Sequence, residues 1–139
     1  MIGKGSFGAR EAKKYIDMFG LANRVKLIDS EINNAVPALK NGQIDGFATA
    51  GSYPAPNVIE ASASSKIRLL GFSDEQIQQS NRAKLTIPAN TYSGVTEDTN
   101  TMSLSVGAYT TTSMDDETAY QIVKTFWDQK QGMAKSNLW

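Results

Sequence analysis

The sequence contains no cysteine and no histidine. Without cysteine, the chain has no disulfide, no thiolate metal site and no cysteine nucleophile. Without histidine, it lacks the commonest general base and the commonest zinc ligand, so a Ser-His-Asp triad is excluded. Because the carboxylates are not clustered either, little catalytic apparatus remains. We therefore expect a protein that is not an enzyme and that holds no metal and no cofactor.

Net charge and long apolar runs are also missing. Fourteen basic and fourteen acidic residues cancel, which gives no electrostatic footprint for nucleic acid. The longest apolar runs are a few residues, whereas a membrane span needs roughly 20. The 139 residues, 40% of them hydrophobic, suffice for one domain or for one lobe of something larger.

Helical and strand patterns alternate along the chain. Apolar spacing and caps predict helices at residues 8–19, 31–40, 54–62 and 73–80, and from residue 115 onward. Short apolar runs predict strands at residues 24–29, 44–50, 66–72 and 102–110, with a turn-rich stretch at 83–97. This order predicts an α/β fold with a mixed, mostly parallel sheet flanked by helices. In such sheets the ligand lies at the carboxyl ends of strands, beside helix N-termini.

Residues 3–8, GKGSFG, have the spacing of glycine-rich phosphate loops. The protein-kinase interpretation fails, because Arg10 stands where that loop has valine and no His-Arg-Asp or Asp-Phe-Gly follows. A kinase loop is also a β-hairpin, whereas this one leads into a predicted helix.

A dinucleotide-binding loop is the second interpretation. Gly3, Gly5 and Gly8 fit GxGxxG, and Asp29 ends the next predicted strand about 20 residues later, where a ribose-binding acid is expected. Against it, almost nothing precedes Gly3 to form the first strand, and Asp29 with Ser30 also fits a helix cap. A nucleotide- or dinucleotide-binding α/β enzyme domain stays open as the alternative function.

A third interpretation is an anion-binding turn. A Gly-Ser-x-Gly turn at a helix N-terminus presents unpaired backbone N–H groups and the positive end of the helix dipole to a small anion. The structural alternative is that Ser6 is only an N-cap and that the glycines only permit a tight turn.

Four stretches together resemble the C-terminal half of the TAXI-family solute-binding proteins of TRAP transporters. They are GKGSFGAREA, ALKNGQIDGFATAGSYPAPNVIEA, TIPANTYSGV and TMSLSVGAYTTTSMDDETAYQIVKTFW. The matching positions are Gly5-Ser6, Ala38-Leu39, Gly42, Ile44-Asp45, Gly51, Pro54, Ile87-Pro88, Tyr92, Gly94, Asp116 and Tyr120. The chain departs from the family pattern where Phe7 and Gly8 replace Gly-Thr, at Ile2 in place of the leading glycine, and at Gly46 in place of alanine.

The resemblance implies a lobe of the type II periplasmic-binding-protein kind, whose N-terminal partner lobe is missing. Residues 1–98 would form the second ligand-binding lobe. Residues 99–139 would form a crossing strand and a terminal helix that pack on the missing lobe. The helix then needs a partner for its apolar side chains, which are Tyr120, Val123, Phe126 and Trp127, although ordinary core packing explains the same pattern.

The resemblance also implies a function. Such a protein, periplasmic or otherwise extracytoplasmic, captures a small carboxylate, either a glutamate-like amino acid or a dicarboxylate, and delivers it to the TRAP membrane permease subunits. The ligand-binding residues would be Gly5, Ser6, Phe7, Gly8, Thr49, Gly51, Ser52, Tyr53 and Tyr92. An exposed lobe interface could also pair two copies of the chain as a homodimer.

Overall fold

The computed structural model describes residues 2–3, 5–104 and 107–136. These residues divide into two compact units, with the boundary between Ser103 and Leu104. The first unit contains the described strands and the first four α-helices, and the second contains the last two helices. The assignment of residues 1–98 to a second lobe, and of 99–139 to elements that cross to another lobe, stays a prediction.

The helices begin where side chains can satisfy their first N–H groups. Their bounds are α1 Phe7–Met18, a 3₁₀ turn Ile32–Asn34, α2 Ala35–Lys40, α3 Pro56–Ser64, α4 Asp74–Gln79, α5 Asp116–Asp128 and α6 Lys130–Ser136. Ser6 caps α1, since its Oγ accepts the Ala9 N–H at 3.1 Å. Ser73 and Gln76 form a reciprocal capping box on α4, and Asp115 caps α5. These three starts confirm the sequence prediction, because capping depends on local residues.

The strands are short and form two separate pairs. Their bounds are β1 Ile2–Gly3, β2 Asp29–Ser30, β3 Lys84–Ile87 and β4 Thr99–Met102. β1 and β2 are parallel, whereas β3 and β4 are antiparallel, with Lys84 opposite Met102. The chain is therefore mixed α/β, and the prediction of a mostly parallel sheet is not supported, because the longer ladder is antiparallel. The prediction of a periplasmic-binding-type lobe stays a prediction.

Two predicted strands, residues 44–50 and 66–72, are not among the described strands, and of the predicted strand 24–29 only Asp29 lies in a strand, β2. Residues 65–70 do alternate between half-buried and exposed, which is the strand period. The Phe72 N–H donates to the Asn100 carbonyl at 3.0 Å, but no ladder continues from that bond. An apolar run in a sequence indicates that its side chains are buried, but it does not indicate which segment its backbone pairs with. The sequence therefore predicted that these segments pack in the core but did not predict their strand pairing.

Three further elements differ from the sequence prediction. β3 lies inside the stretch that was predicted as turns, and β4 includes only Met102 of the predicted strand 102–110. Residues 105–106 of that strand lie outside the described residues. The helix predicted at 31–40 starts as a 3₁₀ turn, and α2 begins only at Ala35. Pro37 explains this, because its ring would clash with the carbonyl four residues earlier in a continuous α-helix.

The core of the first unit is centred on Val58, Tyr92 and Val95. The partly buried side chains that pack against it are Phe47, Ala55, Ile67, Leu69 and Ile87. They come from α3, from the two apolar runs without ladders and from β3. The core therefore fixes the start of α3 against the loop that carries Tyr92.

A second set of contacts anchors α1. The Tyr15 ring lies edge-on to Phe72, with centroids 5.6 Å apart. The Tyr15 hydroxyl donates to Glu11 Oε2 at 2.7 Å, and Arg82 Nη2 lies 3.1 Å from the same oxygen. The hydrogen bond from Tyr15, with the Arg82 charge beside it, holds the pKa of Glu11 below its usual value. Burial raises the pKa of Tyr15, and the hydrogen bond to Glu11 adds to that rise.

The lowered pKa makes Glu11 a pH-dependent contributor to stability. A carboxyl group whose pKa is lower in the folded than in the unfolded protein stabilises the folded state when the pH is above its unfolded-state pKa, about 4.3 for glutamate. This stabilisation is lost as the pH falls through the folded-state pKa. We expect Glu11→Gln to lower the free energy of unfolding at pH 7 by about 1 kcal/mol. The difference between wild type and variant should shrink as the pH falls from about 4.3 through the lowered folded-state pKa, as measured by urea denaturation. Asp17→Asn, which removes the exposed pair with Lys13, is the control and should show a far smaller difference.

The second unit contains α5 and α6. The apolar side chains that were predicted to need a partner are well exposed on α5: Tyr120 59%, Val123 55%, Phe126 43% and Trp127 58%. Phe126 and Trp127 contact each other edge-to-face, with centroids 5.6 Å apart. The packing of this face on a partner lobe stays a prediction. None of the helices in the described part of the chain is both long enough and apolar enough to cross a membrane.

Candidate ligand-binding site

The N-terminus of α1 carries the glycine-rich turn. Gly5 adopts the left-handed conformation, with φ +68°, which a side chain would disfavour. The Ser6 Oγ is engaged as the cap, so its hydroxyl hydrogen remains for another acceptor. The turn therefore has the N-cap geometry of the structural alternative, in which Ser6 Oγ already occupies the Ala9 N–H, and anion binding at Ser6 and Phe7 stays a prediction.

Arg10 adds a positive charge to this turn, which the sequence analysis missed. Its Nη1 donates to the Gly5 carbonyl at 2.9 Å, and its guanidinium lies 5.9 Å from the centre of the Phe7 ring. Phe7, the departure from the family pattern, therefore serves as a platform for the guanidinium. The signal available in the sequence was an arginine within the first turn of a capped helix.

Gly8 brings this turn against a second predicted segment. A Cβ at Gly8 would lie 3.1 Å from the Ala50 nitrogen and 3.2 Å from the Ala50 Cβ, closer than most real contacts. The start of α1 thus packs directly on the loop that follows residues 44–50. The sequence predicted both segments as ligand-binding, and the structure places them side by side.

A cavity of about 490 Å³ lies beside that loop, between the 3₁₀ turn, α2 and the start of α3. Its lining residues are Ile32, Asn33, Val36, Thr49, Ala50, Gly51, Ser52, Ala55, Pro56, Asn57 and Glu60. Three of the predicted site residues, Thr49, Gly51 and Ser52, line it. The volume is within the range of small-molecule sites. Ile32 and Val36 supply apolar surface, and the loop and α3 supply polar groups.

Asn57 and Glu60 line the cavity and were not predicted. Asn57 Nδ2 donates to Thr49 Oγ1 at 3.1 Å, which ties the loop to the first turn of α3. Glu60 lies three residues further along α3, on the same helix face as Asn57. The spacing of these two residues was visible in the sequence, but not the fact that this face meets the loop.

Two predicted site residues have other positions. Tyr92 is only 4% exposed, and its hydroxyl accepts the Ala55 N–H at 2.8 Å, so it supports the start of α3 from within the core. Tyr53 is half-buried, is joined to Pro54 by a cis peptide bond, and is not among the residues that line the cavity. We therefore leave both residues out of the site that we propose.

Another concavity, of about 460 Å³, lies along α5 in the second unit. Its lining residues are Glu117, Thr118, Gln121, Ile122 and Thr125. These belong to one face of a single helix, which offers a ligand contacts from one side only. Among the described residues, no group of three or more acidic side chains has the geometry of a metal site.

Comparison with known protein families adds one match. The model of the NMT1-like family matches residues 1–137, nearly the whole chain. A comparison with curated proteins finds no match.

Proposed function

The chain belongs to the NMT1-like family, and we propose that it captures a small carboxylate and delivers it to a membrane permease. The family is of the periplasmic-binding type and indicates a substrate-binding role in an extracytoplasmic, transporter-type protein. The finer proposal is a TAXI-type receptor of a TRAP transporter whose ligand is a glutamate-like amino acid or a dicarboxylate. In this proposal the protein binds its ligand without chemical change and without a cofactor.

The observation that carries the proposal is the cavity between the 3₁₀ turn, the loop at residues 49–52 and the start of α3. The N-cap of α3 is Ala55, which makes no side-chain capping hydrogen bond, and Pro56 follows it. A carboxylate at this end of the helix would therefore replace the missing cap and face the positive end of the dipole. The start of α1, in contact with the loop through Gly8, directs a second dipole toward the same region.

A lone lobe would bind weakly, because receptors of this type gain affinity by closing two lobes around the ligand. Delivery to the permease then follows from recognition of the closed, loaded form. Both steps rest on the family resemblance and belong to this proposal.

A thermal-shift series tests the proposal. Small carboxylates should raise the melting temperature, because a ligand at a free concentration ten times its Kd raises the free energy of unfolding by about 1.4 kcal/mol. Thr49→Val should abolish this increase, because it removes the hydroxyl that lines the cavity. Thr96→Val, an exposed position outside the cavity, should retain it. Stabilisation by NAD(P) or ATP and not by carboxylates would contradict the proposal and favour the nucleotide-binding alternative.

A further inference from the structure

The cavity has an uneven charge. Among the described residues that line it, Glu60 is the one ionisable side chain, and these residues include neither lysine nor arginine. The other polar side chains are neutral: the amides of Asn33 and Asn57 and the hydroxyls of Thr49 and Ser52. At neutral pH this wall therefore carries one negative charge and no positive charge.

Within the described residues, the Glu60 carboxylate forms no ion pair. The ion pairs between described residues use other carboxylates, those of Asp17, Glu11, Asp74 and Asp128. The backbone carbonyl of Glu60 accepts the Ser64 hydroxyl at 2.9 Å, which leaves the side chain uninvolved in that bond. Glu60 is exposed to solvent, so its carboxylate attracts a ligand cation and repels a ligand anion with the modest strength of a surface charge.

The position of Glu60 favours a cation at a defined place. Asn57 and Glu60 lie at i and i+3 on α3, about 5–6 Å apart at Cβ. The hydrogen bond to Thr49 holds the Asn57 amide beside the loop. The neutral amide and hydroxyl groups therefore occupy one part of the cavity wall, and the Glu60 carboxylate occupies another. A ligand that lies along this wall meets amide and hydroxyl groups at one end and a negative charge at the other.

We infer that the ligand is a zwitterionic amino acid with an uncharged side chain, whose ammonium group faces Glu60. This inference rests on the proposed capture of a small carboxylate, and within that class it disfavours both the dicarboxylate and the acidic amino acid. A dicarboxylate has no ammonium group and brings two negative charges to a wall that already carries one. An acidic amino acid pairs with Glu60 but retains one surplus negative charge. Glu60 is thus a specificity-determining residue that disfavours additional negative charge.

Calorimetric titration of the full chain with L-glutamine, L-glutamate and glutarate tests the inference. These ligands are similar in size and differ in net charge. Glutamine should bind most tightly and glutarate most weakly. In Glu60→Gln, the affinity for glutamine should fall about fivefold, and the affinity for glutarate should rise by about the same factor, as expected for one charge contact near a protein surface. Glu97→Gln, an exposed acid outside the cavity, should leave the order and the affinities unchanged.

Two contrary results are distinguishable. If none of the three ligands binds, the proposed carboxylate function fails and this inference falls with it. If glutarate binds wild type as tightly as glutamine, or if Glu60→Gln changes neither affinity while its circular dichroism spectrum stays native, the inference alone is overturned. Carboxylate capture would then still stand.

Discussion

Tyr92→Ala is expected to lower the free energy of unfolding of the first unit by about 3–5 kcal/mol, the usual cost of deleting a large buried aromatic side chain. Tyr92 is 4% exposed and packs in the core with Val58 and Val95. The substitution would leave a cavity there and would also remove the hydroxyl that accepts the Ala55 N–H. Urea denaturation followed by circular dichroism measures the loss.

Two companion variants separate packing from hydrogen bonding. Tyr92→Phe keeps the ring but leaves the Ala55 N–H without its partner, which should cost about 1–3 kcal/mol. Tyr109→Ala removes the same side chain at a position that is 93% exposed, so its effect should lie within about 0.5 kcal/mol. Equal losses for Tyr92→Ala and Tyr109→Ala would contradict the assignment of Tyr92 to the core.

Ala61→Leu is expected to produce the second large effect, a loss of about 1–3 kcal/mol from overpacking. Ala61 on α3 and Ala35 on α2 are both completely buried, and the two helices pack against each other. The isobutyl side chain of leucine has no space at the completely buried Ala61 position, so α3 must shift or the side chain must adopt a strained rotamer. Denaturation midpoints of variant and wild type give the comparison.

The same substitution should weaken ligand binding, because α3 forms one wall of the cavity through Asn57 and Glu60. Ala63→Leu is a matched control two residues further along α3, where the side chain is exposed. We expect Ala63→Leu to leave stability and ligand binding nearly unchanged. If Ala63→Leu destabilised the chain as much as Ala61→Leu, the assignment of Ala61 to the buried face of α3 and of Ala63 to the exposed face would be contradicted.

Three of the helix starts could be predicted from the sequence, and the sheet could not. Ser6, Ser73 and Asp115 act within their own first turns, so local chemistry determines where α1, α4 and α5 begin. Strand pairing depends on distant partners. β3 pairs with β4 although β3 lies in a stretch whose sequence predicts turns. Residues 44–50 and 66–72, which the sequence predicts as strands, pack side chains in the core but form no strand pairing among the described residues.

The candidate site was predictable in part for the same reason. Gly51 and Ser52 follow an apolar run and precede a helix, a local arrangement that points to a binding loop. Asn57 and Glu60 were missed, because periodicity defines a helix face but not the surface that it meets. The family resemblance implied that Tyr92 contacts the ligand, whereas tertiary packing places it in the core.

The most direct test of carboxylate capture is a ¹H–¹⁵N NMR titration of the full chain with L-glutamine. We expect the largest amide shift changes at residues 49–52 and 55–60, with smaller changes at residues 6–8, where α1 meets the loop. They should saturate along a single binding curve and disappear in Thr49→Val. Shift changes confined to α5, or saturable changes that leave residues 49–60 unmoved, would contradict the assignment of this cavity as the ligand-binding site.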